Sequence, residues 1–100
     1  MTLLITGSSG HLGQAIVTLL RRAGRDAIGL DMRPAETTDI VGSITDAKTV
    51  AKAMQGVTGV IHTATLHKPH VATHSRQDFV DTNVTGTLSL LDSARDAGAS

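Results

Sequence analysis

The sequence predicts a single α/β domain in which a parallel β-sheet is covered by helices on both faces. Short apolar runs typical of buried strands alternate along the chain with stretches whose apolar residues recur at helical spacing. The 100 residues are 40% hydrophobic and only 18% charged, a composition typical of one small globular domain.

The first three elements are predicted to be a strand, a helix and a strand. Residues 3–5 form a short apolar run that ends in a turn, as a buried strand does. The next stretch predicts a helix with Arg21 and Arg22 in its last turn and Gly24 as its C′ residue. Its apolar stripe consists of Leu12, Ala15, Ile16, Leu19, Leu20 and Ala23. Residues 26–31 then contain a second buried strand.

The middle of the chain predicts two more strands around a short helix. A loop leads to a brief third strand over 39–41. The helix begins at Thr45 or Asp46 and ends at Gly56. Its stripe consists of Ala47, Val50, Ala51 and Met54. The fourth strand is expected within residues 57–64.

A long helix is predicted to close the sequence. It follows an irregular stretch over 66–74 and runs from about Ser75 to Ala97, with Gly98 after it. Its buried stripe is expected to consist of Val80, Val84, Thr87, Leu88, Leu91 and Ala94. The helix should lead into a further strand, so the 100 residues are expected to be the N-terminal part of one larger domain.

Composition excludes several classes of function. Nine basic and nine acidic residues give zero formal charge, which argues against binding to nucleic acid or to an anionic membrane. The absence of Cys excludes disulfides and thiolate chemistry, and the absence of Tyr excludes a phenolic acid or base within these residues. No apolar run is long enough to span a bilayer, and the default expectation is a cytoplasmic protein.

The strongest motif lies between the first strand and the first helix. Gly7, Gly10 and Gly13 are spaced as in a dinucleotide-binding turn: the first allows the tight turn, the second lets a pyrophosphate approach, and the third lets helix and strand pack closely. The N–H groups of the helix start would face the phosphates, and the Ser8 and Ser9 hydroxyls could add donors. The alternative is a glycine-rich turn without a ligand, but the strand–turn–helix context favours binding.

Asp31 ends the second strand, near the offset expected of the acidic residue that binds the adenosine ribose. A carboxylate there accepts both ribose hydroxyls and repels a 2′-phosphate, which favours NAD over NADP. Arg33 acts in the opposite direction because a guanidinium could recruit that phosphate. The alternative for Asp31 is a solvated charge at a strand end.

Four stretches, in order along the chain, resemble the extended short-chain dehydrogenase/reductases of the NAD-dependent epimerase/dehydratase family. They are TGSSGHLG at 6–13, Asp31, VIHTA at 60–64 and NVTGT at 83–87. The resemblance implies a Rossmann-type parallel sheet in the order 3-2-1-4 with the dinucleotide between the first and fourth strands, where the strand order reverses. It also implies a homodimer formed through the long last helix.

The resemblance assigns cofactor contacts residue by residue. His11 and Leu12 would contact the pyrophosphate through their backbone, and Asp31 would hold the ribose. Ser43 stands where the family usually has an acidic residue for the adenine, and the Ile44 backbone would reach the same ring. The complete set of implied cofactor residues is Gly7, Ser9, Gly10, His11, Leu12, Gly13, Asp31, Ser43, Ile44, Thr63, Ala64 and Thr65.

Asn83 is the one member of the family's catalytic set that the resemblance locates in these residues. It belongs in the family with a Ser or Thr, a Tyr and a supporting Lys, and the alternative is a helix-face amide bonded to a neighbouring loop. The other members and the substrate-binding part are expected beyond Ser100. The implied activity is hydride transfer at a sugar or nucleotide-sugar carbon; the alternative is a non-catalytic dinucleotide-binding sensor.

The histidines allow a metal hypothesis that the sequence does not favour. His67, His70 and His74 could bind zinc, but Pro69 breaks a helix there and no acidic residue lies between them. They are better interpreted as loop residues near a substrate entrance or on the surface. His62 lies on a predicted strand and is expected to be a hydrogen-bonded core histidine. No metal site is predicted.

Overall fold

Four parallel strands form one sheet in a computed structural model, which describes residues 1–64 and 75–99, the side chain of Phe79 excepted. The strands are β1 (Thr2–Thr6), β2 (Asp26–Asp31), β3 (Ile40–Val41) and β4 (Gly59–His62). Their order is β3-β2-β1-β4, so the predicted Rossmann-type α/β sheet is confirmed. The strand order reverses between β1 and β4.

Helices connect the strands and follow the last of them. They are α1 (His11–Arg22), α2 (Ala47–Ala53), α3 (Arg76–Val80) and α4 (Thr87–Ala97), with a π-helical segment, Asp81–Gly86, between α3 and α4. The sequence predicts one uninterrupted α-helix from about Ser75 to Ala97, whereas the structure has a π-helical segment in the middle of this stretch. Within the described residues, no helix combines the length and the apolar content that crossing a membrane requires.

The larger core lies between the sheet and the helices α2 and α4. Leu4 of β1 and Leu30 of β2 pack there with Val50, Met54 and Leu90, all nearly inaccessible to solvent. Ile5 follows Leu4 on the strand and therefore points to the opposite face. Right-handed connections place α1 on that opposite face, because β1–α1–β2 and β3–α2–β4 cross the sheet in opposite directions.

The prediction that the last helix buries its larger apolar residues is wrong. Val80, Val84, Leu88 and Leu91 are exposed, and Leu91 keeps 63% of its accessible surface. The side that faces the core carries Gly86 and Leu90, of which Leu90 is 3% exposed. Glycine suits this position because a Cβ on Gly86 would lie 2.8 Å from the side chain of Ile44, which would have to shift.

Local signals for helix ends are confirmed. Asp46 caps α2 by accepting a hydrogen bond from the Lys48 N–H, and Gly56 has the left-handed φ of +73° that its position after the helix requires. Ser75 forms a capping box with Asp78 at the start of α3. The Thr49 hydroxyl, and after it the Lys48 N–H, hold the pKa of Asp46 below its ordinary value.

Replacing Asp46 with Ala is expected to lower the free energy of unfolding in a pH-dependent way. The carboxylate has a lowered pKa in the folded state, so its stabilising effect is complete above the ordinary pKa of aspartate and is lost as the pH falls through the lowered value. Urea unfolding of wild type and variant across acidic pH measures the difference. Asp92→Ala, an exposed carboxylate near Arg95, should show a smaller effect; a pH-independent difference at Asp46 would contradict the assignment.

Candidate functional site

The turn between β1 and α1 is packed so closely that two of its glycines have no room for a side chain. A Cβ on Gly13 would overlap the Gly7 carbonyl, and a Cβ on Gly7 would overlap Thr63. Gly7 also has a φ of +73°, which side-chain-bearing residues rarely adopt. The first turn of α1, the end of β1 and the end of β4 therefore meet at one point.

Gly10 differs from these two glycines. Its φ of −82° and ψ of 170° suit any residue, and among the described residues a Cβ there would approach only the Gly7 carbonyl, at 3.3 Å. The backbone conformation therefore does not demand glycine at this position, and a side chain would require only a small shift of the Gly7 carbonyl. A glycine that its own conformation does not require is compatible with the close approach of an outside group such as a pyrophosphate.

The N-terminus of α1 presents free backbone donors beside Gly10. The N–H groups of His11, Leu12 and Gly13 have no partner within the helix, as in every α-helix start. Across the part of the chain that the structure describes, no side chain caps this end, and the first turn carries no acidic residue. The positive end of the helix dipole is thus available to an anion.

Asp31 lies beside the glycine loop, which we define as residues 7–10. One carboxylate oxygen accepts the Ser9 N–H at 3.0 Å, and the other accepts the Arg33 N–H at 3.0 Å. Each oxygen keeps a further lone pair for an outside donor such as a ribose hydroxyl. The predicted neighbourhood of Asp31 and the glycine loop is therefore present.

Thr6 joins the end of β1 to the end of β4. Its side-chain oxygen accepts the N–H groups of Thr63 and Ala64 at 3.0 and 3.2 Å, and its carbonyl accepts the Thr63 hydroxyl at 2.6 Å. Thr6 is fully buried, so these bonds are shielded from water. They hold Thr63 and Ala64, two of the predicted cofactor residues, against the glycine loop.

His62 extends this network to the last helix. The Thr6 hydroxyl lies 2.6 Å from Nδ1, and Nε2 lies 3.0 Å from the Thr87 hydroxyl. Because the Thr6 oxygen already accepts two N–H groups, its own proton is donated to Nδ1, which assigns the neutral tautomer with hydrogen on Nε2. Burial lowers the pKa of His62 and favours the same neutral form.

The remaining predicted residues follow β3, lie in the π-helical segment or fall outside the described ranges. Ser43 follows β3, and its hydroxyl is 2.7 Å from that of Thr45. The Ile44 side chain is buried beneath Gly86, and Asn83 lies half-buried in the π-helical segment. The predicted residues outside the described ranges are Thr65, His67, His70 and His74.

Sequence reasoning missed three threonines that support the site. Thr6 holds the end of β4, while Thr37 and Thr38 bond to the glycine loop from the segment before β3. Their partners lie 29 to 58 positions away in the sequence, so no local pattern marks them. The only signal would have been the presence of hydroxyl residues at strand ends facing a glycine turn.

In a comparison with known protein families, residues 3–100 match the NAD dependent epimerase/dehydratase family. The 3-beta-hydroxysteroid dehydrogenase of Mycolicibacterium neoaurum is 32% identical, over 95% of this chain and 29% of its own length. The chain thus spans about a third of the length of the relatives that it matches.

Solved structures give the same result for the fold. A short-chain dehydrogenase/reductase superfamily protein from Agrobacterium tumefaciens, solved with bound NAD, has a TM-score of 0.89 and 37% identity, covering 99% of this chain and 30% of that one. The UDP-glucose 4-epimerase of Thermus thermophilus, in complex with NAD, has a TM-score of 0.85 and 26% identity, covering 99% and 35%. With its glycine turn, its Asp31 and its 3-2-1-4 sheet, the chain belongs to the NAD dependent epimerase/dehydratase family.

Proposed function

We propose that the chain is the NAD-binding part of an oxidoreductase or epimerase that transfers hydride at a sugar or nucleotide-sugar carbon. The observation that carries the proposal is Gly10, whose extended backbone does not require glycine, beside N–H groups that no side chain among the described residues caps. The NAD in related structures supports the choice of cofactor. Because the chain covers about a third of its relatives, the activity proposed is that of the whole protein.

The residues at this edge of the sheet fit a dinucleotide. The backbone of His11, Leu12 and Gly13 would hold the pyrophosphate over Gly10, with Ser9 beside it. Asp31 would accept the adenosine ribose hydroxyls, and Ser43 and Ile44 would border the adenine. Thr63, Ala64 and Thr65 would line the nicotinamide side.

NAD supplies the hydride acceptor when it is bound. The residues of the chain would orient the NAD. Thr6 and His62 hold the end of β4 rigid, so that Thr63 and Ala64 present a defined wall. Asn83 would support the catalytic group from the π-helical segment. The 100 residues contain no Tyr, so a phenolic proton donor would come from outside them.

The substrate class has one specific competitor. The steroid dehydrogenase relative, at 32% identity, favours a hydroxysteroid, while the UDP-glucose epimerase structures favour a nucleotide sugar. We expect the full-length protein, supplied with NAD, to interconvert UDP-hexoses. Chromatography of the UDP-hexoses measures this reaction. NADH formation from a 3β-hydroxysteroid would select the second class, and tight NAD binding without turnover of either would favour the non-catalytic sensor.

Exposed apolar residues along α3, the π-helical segment and α4 support a homodimer of the full-length protein. Val80, Val84, Leu88 and Leu91 form an apolar surface of the kind that associates with a like surface.

Gly10→Val is expected to abolish NAD binding without unfolding the protein. Extended backbone accepts valine, whereas its side chain would occupy the space proposed for the pyrophosphate. Gly13→Ala should act differently and destabilise the fold by about 1–3 kcal/mol, as overpacked sites do. Calorimetric titration with NAD and thermal unfolding of both variants separate the two roles; a Gly10→Val protein that binds NAD normally would overturn the proposal.

Asp31→Asn is expected to shift cofactor preference towards NADP. The amide removes the charge that repels a 2′-phosphate, so the preference for NAD should fall roughly tenfold. Because its NH2 group cannot accept, it also loses one of the two backbone N–H bonds of Asp31, which weakens the binding of both cofactors but not their ratio. Dissociation constants for NAD and NADP give the ratio directly. Asp26→Asn, at the other end of β2, is the matched control and should leave the ratio unchanged; a wild-type preference for NADP would contradict the role of Asp31.

The double substitution of Leu88 and Leu91 by Glu is expected to produce a monomer. Two carboxylates would have to lose their hydration in the apolar contact. Light scattering after size exclusion gives the mass of the full-length variant. Met32→Glu, at an exposed apolar residue outside the helix, should remain dimeric; a dimeric double variant would exclude this surface as the interface.

A further inference from the structure

Thr38, which no part of the proposed function uses, connects the segment before β3 to the glycine loop. Its hydroxyl oxygen lies 2.6 Å from the hydroxyl of Ser8 and 2.7 Å from that of Ser9. The Ser9 hydroxyl also bonds to the backbone carbonyl of Arg33. One threonine therefore joins two consecutive residues of the glycine loop to the segment that follows Asp31.

The donors in this chain of hydroxyls follow from counting protons. A carbonyl only accepts, so Ser9 donates its single proton to Arg33. Thr38 must then donate to Ser9, and Ser8 must donate to Thr38. The result is a series of hydrogen bonds with one direction, from Ser8 through Thr38 and Ser9 to Arg33. Both serine protons are used within it, so the expectation that the Ser8 and Ser9 hydroxyls donate to the phosphates is wrong for this arrangement.

The segment that carries Thr38 is itself held firmly against β2. The Asp39 N–H donates to the Gly29 carbonyl at 2.9 Å, and the Asp39 carboxylate accepts the Gly29 N–H at 2.8 Å. A Cβ on Gly29 would overlap the Thr37 carbonyl, so no side chain separates the strand from the segment. Thr37 adds a second link, because its hydroxyl donates to the Ser8 carbonyl at 2.6 Å.

Both backbone groups of Arg33 also take part in these hydrogen bonds. The Arg33 N–H donates to Asp31, while its carbonyl accepts the Ser9 hydroxyl. Asp31 in turn accepts the Ser9 N–H. The carboxylate and the glycine loop are thus held in one arrangement, of which Thr38 is the central hydroxyl.

We propose that Thr38 is a positioning residue for the dinucleotide: its hydroxyl sets the backbone of Ser8 and Ser9, and through Arg33 the carboxylate of Asp31, in the geometry that binds NAD. The proposal rests on the proposed function, because it concerns the same site. Ser8 is completely buried, so loss of the Thr38 hydroxyl would leave the Ser8 hydroxyl without its acceptor and force the loop to rearrange.

The test measures the dissociation constant for NAD in the full-length protein, well below the unfolding temperature. Thr38→Val, which keeps the shape but removes the hydroxyl, is expected to bind NAD roughly tenfold more weakly. Thr38→Ser retains the hydroxyl and should restore binding to within about twofold of wild type. A role in stability alone would lower the unfolding temperature and leave the constant of the folded protein unchanged.

The matched control is Thr58→Val. Thr58 also donates one hydroxyl hydrogen bond, to the Thr2 carbonyl at 3.2 Å, but it lies at the opposite edge of the sheet. It should bind NAD as wild type does. Equal NAD affinity of Thr38→Val and wild type would overturn the role of Thr38 alone, whereas a wild type that does not bind NAD would overturn the proposed function and this inference with it.

A second variant covers the case in which Thr38→Val fails to fold. The double variant Ser8→Ala with Thr38→Val removes the hydroxyl that the single substitution leaves unsatisfied, so it should fold. Weakened NAD binding by this folded protein supports the proposal. Binding equal to that of wild type overturns it.

Discussion

The close contact between the first turn of α1 and the end of β1 is the constraint on which the site depends. Because Gly13 rests directly on the Gly7 carbonyl, the helix starts immediately above the strand end and directs its free N–H groups over the edge of the sheet. A side chain at Gly13 would push the helix away from the strand end, and a side chain at Gly7 would displace Thr63 at the end of β4. The geometry of the proposed anion site is thus a consequence of backbone packing and not of any charged side chain.

Hydroxyl groups organise this edge of the sheet, while the interior beneath it is apolar. Thr6 ties β1 to β4, and Thr38 ties the glycine loop to the segment before β3. Both act at or near buried positions, where an unmade hydrogen bond costs more than the bond itself contributes. Polar groups that satisfy one another in this way specify a single arrangement of the loops at this edge.

The last helix shows how one amphipathic pattern can be assigned to the wrong side. Its larger apolar residues, including Leu88 and Leu91, are exposed, while the side facing the core carries small residues and Leu90. The close approach of Gly86 to Ile44 is consistent with this orientation, since a side chain at 86 would require Ile44 to shift. An apolar pattern in the sequence indicates that a surface is more stable when buried, but it does not identify the surface that packs against it.

The sequence by itself determined the features whose causes lie within a few residues of one another. The alternation of strands and helices, the turn from β1 into α1, the Asp46 cap and the glycine after α2 follow from local backbone conformation and short-range hydrogen bonding. Only the tertiary structure decided the inward face of the last helix, the π-helical segment, the tautomer of His62 and the chain through Thr38. The bonds of His62 and Thr38 join residues 25 to 56 positions apart, so they exist only once strand register and helix packing bring those residues together.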